Sequence, residues 1–220
     1  MPQVETRVAV LISGEGSNLQ ALIDAARARS LGARIAVVVS NRGAARGLER
    51  ARNAGIDALH VPAAGGATRE AYDAALAAAL APYSPDLLVL AGFMRILTAA
   101  FVETHAGRML NIHPSLLPAY TGLDTHRRVL EARERRHGAT VHFVTAQLDA
   151  GPAILQYRLA VRGTDTAETL AQRVHVGEHI ILPQAVQWFA AGRLRLAAGS
   201  VMLDGQPLSQ PVVVDEEEVR

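Results

Sequence analysis

Short apolar runs alternate with helical segments along the first half of the chain, and this alternation restricts the possible folds more than any other feature. RVAVLIS (7–13), RIAVVVS (34–40) and DLLVLAG (86–92) are rich in strand-favouring residues. Between them apolar residues recur at helical spacing, which predicts helices over 18–29, about 45–54 and about 69–81. Strands alternating with helices indicate βαβ units in a parallel sheet covered on both faces. The first half is therefore predicted to be Rossmann-like.

The rhythm changes after residue 107. RMLNIH is predicted as a strand and, after a long loop, THRRVLEARERR as a helix. Two β-rich runs follow, GATVHFVT and AILQYRLAV, with LDAGP between them. A short Gly-Pro connection favours a hairpin, so we expect an antiparallel edge on the otherwise parallel sheet.

A long helix is predicted from Asp165 to about residue 190. Asp165 and Glu168 have the spacing of a capping box, and Pro183 should kink the helix by removing the hydrogen bond to His179. We expect one domain over 1–220, with a phosphate-binding half to about 105 and a catalytic half from about 106 to 200. The remainder, about 205–220, is predicted as a short strand and a charged tail.

Composition excludes several functional classes. The 220 residues are 50% hydrophobic and 20% charged, which is typical of a globular domain. Lys and Arg (22) nearly balance Asp and Glu (21), so no overall field favours nucleic acid or an anionic membrane. The absence of cysteine excludes disulfides and thiolate metal sites. No apolar segment reaches the ~20 uninterrupted residues of a membrane span, and we expect a cytoplasmic protein that binds small molecules.

The loop SGEGSN (13–18) lies between the first strand and the first helix. Its glycines allow backbone N–H groups to approach a ligand, and a helix N-terminus favours an anion. A tight turn with Ser17 or Asn18 as the helix N-cap explains the same pattern equally well. Because the dinucleotide fingerprint requires glycine where Leu19 stands, a single phosphate monoester fits better. Glu15 would repel that phosphate unless its carboxylate points away.

Asn111 and His113 are two apart at the end of a predicted strand, just before Pro114. They therefore project from the same face, at the carboxyl edge of the sheet, where ligands bind in open α/β folds. A lone histidine is more often structural, but a neutral and a titratable donor aimed at one point suit a developing oxyanion. No other ligand lies at short metal-binding spacing, so we expect no metal.

Asp149 lies in the LDAGP connection. It is either a turn residue that bonds its own backbone or a carboxylate that supports positive charge on His113, which requires contact in space. RRVLEARERR is most simply a solvated helix face with ion pairs. We interpret the remaining histidines as structural or exposed: His60, His105, His126, His137, His142, His175 and His179.

Several long motifs, in order along nearly the whole chain, resemble those of the phosphoribosylglycinamide (glycinamide ribonucleotide) formyltransferases, folate-dependent enzymes of purine synthesis. NIHPSLLP is shared by the wider formyltransferase group, whereas SGxGSNLQ with LDxGP narrows the resemblance. The matching stretches are VLISGEGSNLQALID, SNRGAARGLERARNAGI, AGFMRILTAAFV, GRMLNIHPSLLPAYTGLDTHR and GATVHFVTAQLDAGPAILQ.

This resemblance implies transfer of a formyl group from 10-formyltetrahydrofolate to the amine of 5-phosphoribosylglycinamide, by direct attack through a tetrahedral intermediate. It implies a formyltransferase fold and no metal. By position, Asn111 and His113 match the oxyanion-stabilising pair, with His113 as proton donor. Asp149 matches the aspartate that raises the histidine pKa and helps to shuttle protons.

The resemblance also implies binding residues. Gly16, Ser17 and Asn18 match the backbone cradle for the phosphate, and Glu178 matches the glutamate that holds the sugar or amine end of the ribonucleotide. The residues that match folate contacts are Arg69, Met94, Arg95, Ile96, Leu97, Thr145, Ala146, Gln147, Leu148 and Asp149.

The sequence departs from the family pattern at a few loop positions. Glu15 replaces a neutral polar residue, Thr121 and Asp124 replace a proline and a histidine, and Ala146-Gln147 replaces an acidic pair. These changes affect loops and substrate affinity but remove no catalytic residue. The alternatives are a 10-formyltetrahydrofolate hydrolase and a non-catalytic folate- or nucleotide-binding module. We expect a monomer or a homodimer.

Overall fold

The computed structural model describes residues 5–63 and 68–219. The chain divides into two compact units, Met1–Leu110 and Asn111–Arg220. Within the described residues, no helix is long and apolar enough to cross a membrane.

The first unit is built from alternating strands and helices, as predicted. Its four strands are parallel and hydrogen-bonded in the order β4-β1-β2-β3. The strands are β1 (Thr6–Ile12), β2 (Ala33–Ser40), β3 (Asp57–His60) and β4 (Leu87–Leu90). The helices are α1 (Ser17–Arg27), α2 (Arg46–Asn53), α3 (Arg69–Leu80) and α4 (Ala99–Thr104).

Continuous apolar strands account for this core. Residues 8–12 of β1 are fully buried, as expected for a strand covered on both faces. From α1, Leu19, Leu22 and Ile23 are buried at helical spacing. All three predicted helices are confirmed to within two residues at each end, and the largest difference is in α1, which ends at Arg27 rather than 29.

The helix α4 was not predicted from sequence. It has only six residues, too few for a helical period to stand out. The Thr98 hydroxyl caps it by accepting from the Phe101 N–H at 3.2 Å, and Phe101 and Val102 are buried. A local cap and two apolar contacts are sufficient to form this turn.

The second unit combines the predicted hairpin with a long helix. Its strands follow the order β11-β7-β6-β5. β6 and β7 are antiparallel and β11 is parallel to β7, so β7 and β11 form the expected antiparallel edge. The elements are β5 (Met109–His113), α5 (Thr125–Glu131), β6 (Arg136–Phe143), β7 (Ala153–Ala160), α6 (Ala167–Ala190) and β11 (Val212–Asp215).

A small antiparallel sheet after α6 was missed. It consists of β8 (Leu194–Ala197), β9 (Ser200–Leu203) and β10 (Gln206–Pro207). Both turns are two-residue loops with positive φ, Ala198-Gly199 and Asp204-Gly205. An Asp-Gly pair after an apolar run is a hairpin signal, so the second turn could have been predicted from sequence.

Two helix boundaries were predicted incorrectly. THRRVLEARERR is helical only to Glu131, because Arg133 has a φ of 54° and Arg136 already begins β6. The capping box of α6 is formed by Thr166 and Thr169. Asp165, the predicted cap, instead accepts a hydrogen bond from Arg173 Nη1 at 2.7 Å. Several polar residues in succession offered alternative caps, and packing selected among them.

Candidate active site

The end of β5 carries a buried histidine–carboxylate pair. His113 is 6% exposed, and its Nδ1 lies 3.5 Å from Asp149 Oδ2. Asp149 Oδ2 also accepts the Gly122 N–H at 2.9 Å. Asp149 has a φ of 51°, in the left-handed region that aspartate tolerates. The contact that sequence could not establish is therefore present, and Asp149 has partners far from its own turn.

The second nitrogen of His113 faces the loop that follows β5. Nε2 lies 2.9 Å from the Tyr120 carbonyl oxygen. A carbonyl only accepts hydrogen bonds, so Nε2 carries a proton in this arrangement. Tyr120 has a φ of 56°, in the left-handed region. In this conformation one ring nitrogen faces the carboxylate and the other donates to the loop.

Asn111 is oriented by a residue that sequence reasoning treated as structural or exposed. Its Nδ2 lies 3.1 Å from His142 Nε2, while His142 Nδ1 lies 2.9 Å from the Phe143 carbonyl oxygen. Nδ1 must therefore donate, which leaves Nε2 to accept from the Asn111 amide. Burial lowers the pKa of His142, in agreement with a neutral ring.

His142 also lies close to the carboxylate, with Nε2 3.9 Å from Asp149 Oδ1. The β6–β7 register shifts between Val141 and His142, and such irregularities redirect side chains. No sequence pattern distinguishes this histidine, because its role depends on pairing across strands.

A second histidine pair is buried in the same unit. His126 Nδ1 and His137 Nε2 are 2.9 Å apart, with the rings edge to face. Burial, followed by the charges of His175 and His113, lowers the pKa of His126 to about 4. Burial, followed by the charges of His126 and His113, lowers the pKa of His137 to about 4. Both rings are therefore neutral at physiological pH.

Glu178 is buried on α6. Its carboxylate Oε2 lies 3.9 Å from His175 Nε2, one helical turn away. Residues three apart on a helix face the same side, so this pair follows from sequence spacing.

The predicted phosphate loop begins α1. Gly16 occupies the N-cap position with a φ of 74°, and no side chain caps this end. The alternative with Ser17 or Asn18 as N-cap is therefore wrong. A Cβ on Gly16 would lie 2.7 Å from Gly47 Cα, so backbone approach also requires glycine here. Gly47, which sequence reasoning missed, donates its N–H to the Gly14 carbonyl at 3.1 Å.

The Glu15 carboxylate forms ion pairs with two arginines of α2. Its Oε1 lies 2.5 Å from Arg50 Nη2 and 3.2 Å from Arg46 Nη1. Two guanidinium groups therefore offset the negative charge that would otherwise repel a phosphate in this loop.

Hydrogen bonds connect the phosphate loop to the predicted folate segment 94–97. Ser13 Oγ accepts from the Met94 N–H at 2.7 Å and donates to Asn41 Oδ1 at 2.6 Å. Met94 and Ile96 are 59% and 50% exposed, whereas Leu97 is buried. Two large apolar side chains are thus exposed to solvent next to a backbone N–H that is hydrogen-bonded to Ser13.

Arg95 stacks on α3, the helix that begins with the predicted folate residue Arg69. The Arg95 Cζ lies 4.2 Å from the centroid of the Tyr72 ring, and burial raises the pKa of Tyr72 to about 12. Asp73 Oδ2 accepts the Thr98 N–H at 2.7 Å, which fixes the end of the same segment.

The predicted folate loop 145–148 is mostly exposed. The Thr145 hydroxyl donates to the Gln147 carbonyl at 3.2 Å, and Ala146, Gln147 and Leu148 face solvent. This loop leads directly to Asp149, so its conformation bears on the histidine–carboxylate pair.

The unusual residues Thr121 and Asp124 lie in the loop before α5, where two arginines hold them. Arg128 Nη1 donates to the Thr121 carbonyl at 2.6 Å, and Arg127 Nη2 donates to Asp124 Oδ2 at 2.8 Å. Among the described residues, no group of three His, Cys, Asp or Glu side chains could hold a metal ion.

Parallel strands covered by helices, and a buried histidine–aspartate pair beside an oriented amide at the end of β5, define an α/β protein with the side chains of an acid–base site. The family model described as formyl transferase matches residues 6–186. The chain belongs to this family.

Curated and solved relatives agree with this assignment. Over 201 residues the chain is 51% identical to the phosphoribosylglycinamide formyltransferase of Escherichia coli, covering 91% of this chain and 95% of that protein. It is 49% identical to the trifunctional purine biosynthetic protein adenosine-3 of Bos taurus, over 87% of this chain and 19% of that protein. The phosphoribosylglycinamide formyltransferase of Coxiella burnetii, solved with CHES, superposes with a TM-score of 0.91 at 49% identity, covering 96% and 99% of the two chains.

Proposed function

We propose that the chain transfers the formyl group of 10-formyltetrahydrofolate to the amine of 5-phosphoribosylglycinamide, giving formylglycinamide ribonucleotide and tetrahydrofolate in purine biosynthesis. The observation that carries this proposal is the buried pair of His113 and Asp149 beside Asn111, in a chain 51% identical to a phosphoribosylglycinamide formyltransferase.

The reaction is an acyl transfer without a covalent enzyme intermediate. The substrate amine attacks the formyl carbon, and the carbonyl oxygen gains negative charge in the tetrahedral intermediate. The Asn111 amide and a protonated His113 are the proposed donors to that oxygen. For this step the His113 Nε2–H must exchange the Tyr120 carbonyl, which it bonds in this conformation, for the substrate oxygen. Collapse breaks the bond to the folate nitrogen, which takes up one proton while the attacking amine loses one.

Asp149 is placed to assist this proton movement. A carboxylate 3.5 Å from His113 Nδ1 stabilises a positively charged ring. The Gly122 N–H fixes the carboxylate, so the negative charge stays beside the ring. We assign His113 as the proton donor and Asp149 as the group that assists its proton transfer.

The proposed substrate-binding residues are those that the family resemblance implies. We propose that the N–H groups of Gly16, Ser17 and Asn18 bind the ribonucleotide phosphate, because they lie at an uncapped N-terminus of an 11-residue helix. Glu178 is proposed to bind the sugar or amine end. Folate contacts are proposed for Arg69, Met94, Arg95, Ile96, Leu97, Thr145, Ala146, Gln147 and Leu148. A single domain, a monomer or homodimer, and a cytoplasmic location stay predictions.

One assay tests the reaction. Purified protein is given 10-formyltetrahydrofolate with and without phosphoribosylglycinamide, and tetrahydrofolate formation is followed. We expect turnover only with the ribonucleotide. Equal turnover without it identifies a hydrolase, and no turnover in either mixture identifies a binding module.

A further inference from the structure

Two arginines of α2 share the carboxylate of Glu15, but they hold it differently. Arg50 Nε donates to the Glu15 backbone carbonyl at 2.9 Å, and Arg50 Nη1 donates to Gln20 Oε1 at 3.2 Å. Together with the Glu15 ion pair, these bonds connect the loop backbone to the first turn of α1. The Arg50 side chain is only 26% exposed, so it acts as a fixed clamp on the loop.

Arg46 is held much more weakly. Its side chain is 67% exposed, and Nη1 lies 3.2 Å from Glu15 Oε1, an atom that also pairs with Arg50. Exposed ion pairs contribute little free energy, because water screens them and the long side chain loses freedom. The Arg46 guanidinium can therefore exchange partners at small cost.

This guanidinium pairs with the side chain of the residue that precedes the N-cap of α1. Glu15 immediately precedes Gly16, the N-cap whose neighbouring N–H groups have no side-chain cap. A phosphate bound there carries up to two negative charges and three acceptor oxygens, which suit a planar guanidinium better than a shared carboxylate does.

We propose that Arg46 is a further phosphate-binding residue, and that Glu15 sets the phosphate affinity by competing for it. Arg50 is a positioning residue that keeps the loop in place during this exchange. The identity of the phosphate as part of phosphoribosylglycinamide rests on the proposed function. The exchange itself concerns any phosphate monoester or inorganic phosphate.

Variants of the ion pair separate these roles. Glu15→Gln frees Arg46 and should tighten inorganic phosphate binding about threefold to tenfold at low ionic strength, with the gain shrinking as salt is added. Arg46→Gln should weaken binding by a similar factor. The double variant Glu15→Gln/Arg46→Gln should behave like Arg46→Gln alone, since Glu15 acts through Arg46. Isothermal titration calorimetry with inorganic phosphate measures all four proteins.

A matched control is available in the small sheet. Asp204 forms an exposed ion pair with Arg193 at 2.7 Å, so Asp204→Asn makes the same change in charge away from the loop. It should leave the phosphate affinity unchanged. An equal gain from Asp204→Asn would attribute the effect to net charge and overturn the proposal.

Three other calorimetry results would contradict the proposal. Unchanged or weaker phosphate binding by Glu15→Gln contradicts competition. If the double variant binds phosphate more tightly than the unmodified protein, Glu15 repels phosphate directly. Arg46 is then not part of the phosphate site. Lack of phosphate binding by the unmodified protein sinks the inference altogether.

Enzyme kinetics distinguish failure of the proposed Arg46 role from failure of the proposed function. In the formyl-transfer assay, Glu15→Gln should lower KM for the ribonucleotide by the factor seen with phosphate, with kcat and the folate KM within about twofold. Normal calorimetry with no turnover contradicts only the proposed reaction. Normal turnover with no effect at Glu15 contradicts only the role of Arg46.

Discussion

At the scale of single residues, the proposed chemistry depends on two pairs of side chains in contact, each with one member on β5. His113 faces Asp149, and Asn111 faces His142. The first pair is proposed to supply a proton, whereas the second orients a neutral amide. Loss of one proposed oxyanion donor should therefore affect the rate more than binding.

Replacement of His113 with alanine tests the proton donor. We expect kcat to fall by about 10²-fold or more with folate binding nearly intact, because the lost interaction forms in the transition state. Steady-state kinetics and a folate titration measure the two effects. A kcat close to that of the unmodified enzyme would remove His113 from the mechanism.

Replacement of His142 with phenylalanine tests the orientation of Asn111. Phenylalanine offers no acceptor, so the Asn111 amide loses its direction, and kcat should fall about tenfold with little change in either KM. His142→Gln can still accept through Oε1 and should recover part of the rate. The matched control is His105→Gln, since His105 Nδ1 bonds the Phe101 carbonyl on α4. Equal kcat values for His142→Phe and His142→Gln would show that His142 acts only through packing.

At the scale of elements, glycine permits the contact between α6 and β7. A Cβ on Gly177 would lie 1.9 Å from Tyr157 Cδ1, a ring carbon on β7. From sequence alone, this glycine inside a helix reads only as destabilising. Its function becomes clear only where the long helix crosses the strand, so the close approach is a tertiary requirement.

Gly177→Ala should therefore destabilise the protein, although alanine favours helix. We expect a loss of about 1–3 kcal/mol in the free energy of unfolding from overpacking against Tyr157, measured by urea denaturation. Gly163→Ala is the control, because a Cβ there meets nothing within 4 Å. Equal stability of the two variants would show that α6 shifts freely on the sheet.

At the scale of the whole molecule, the neutral His126–His137 pair makes stability depend on pH. Both pKa values are about 4 in the folded protein, below the ordinary value of about 6.5. The unfolded chain therefore takes up protons first as the pH falls. This contribution to stability is complete above pH 6.5 and is lost progressively towards pH 4.

The dependence of the free energy of unfolding on pH can be measured. The free energy of unfolding should fall by about 1.4 kcal/mol per pH unit for each histidine kept neutral, or less where the two titrate as a coupled pair. Urea denaturation between pH 7.5 and 4.5 measures it. His137→Gln should flatten the curve, whereas the exposed His60→Gln should not. An unchanged slope in His137→Gln would exclude the pair as its source.

The sequence determined the order of the longer elements, though not α4 or the small sheet, since hydrophobic period and glycine position are local properties. It also placed Asn111 and His113 on one face of a strand end, because side-chain direction alternates along a strand. Helix ends were less certain, as Arg133 and Thr166 show, because several local solutions compete within one turn. The partners of Asn111 and His113, in contrast, were decided by the tertiary structure. Asp149 meets His113 across 36 positions, and His142 meets Asn111 across 31. Such contacts depend on strand pairing and loop closure, which no local pattern contains.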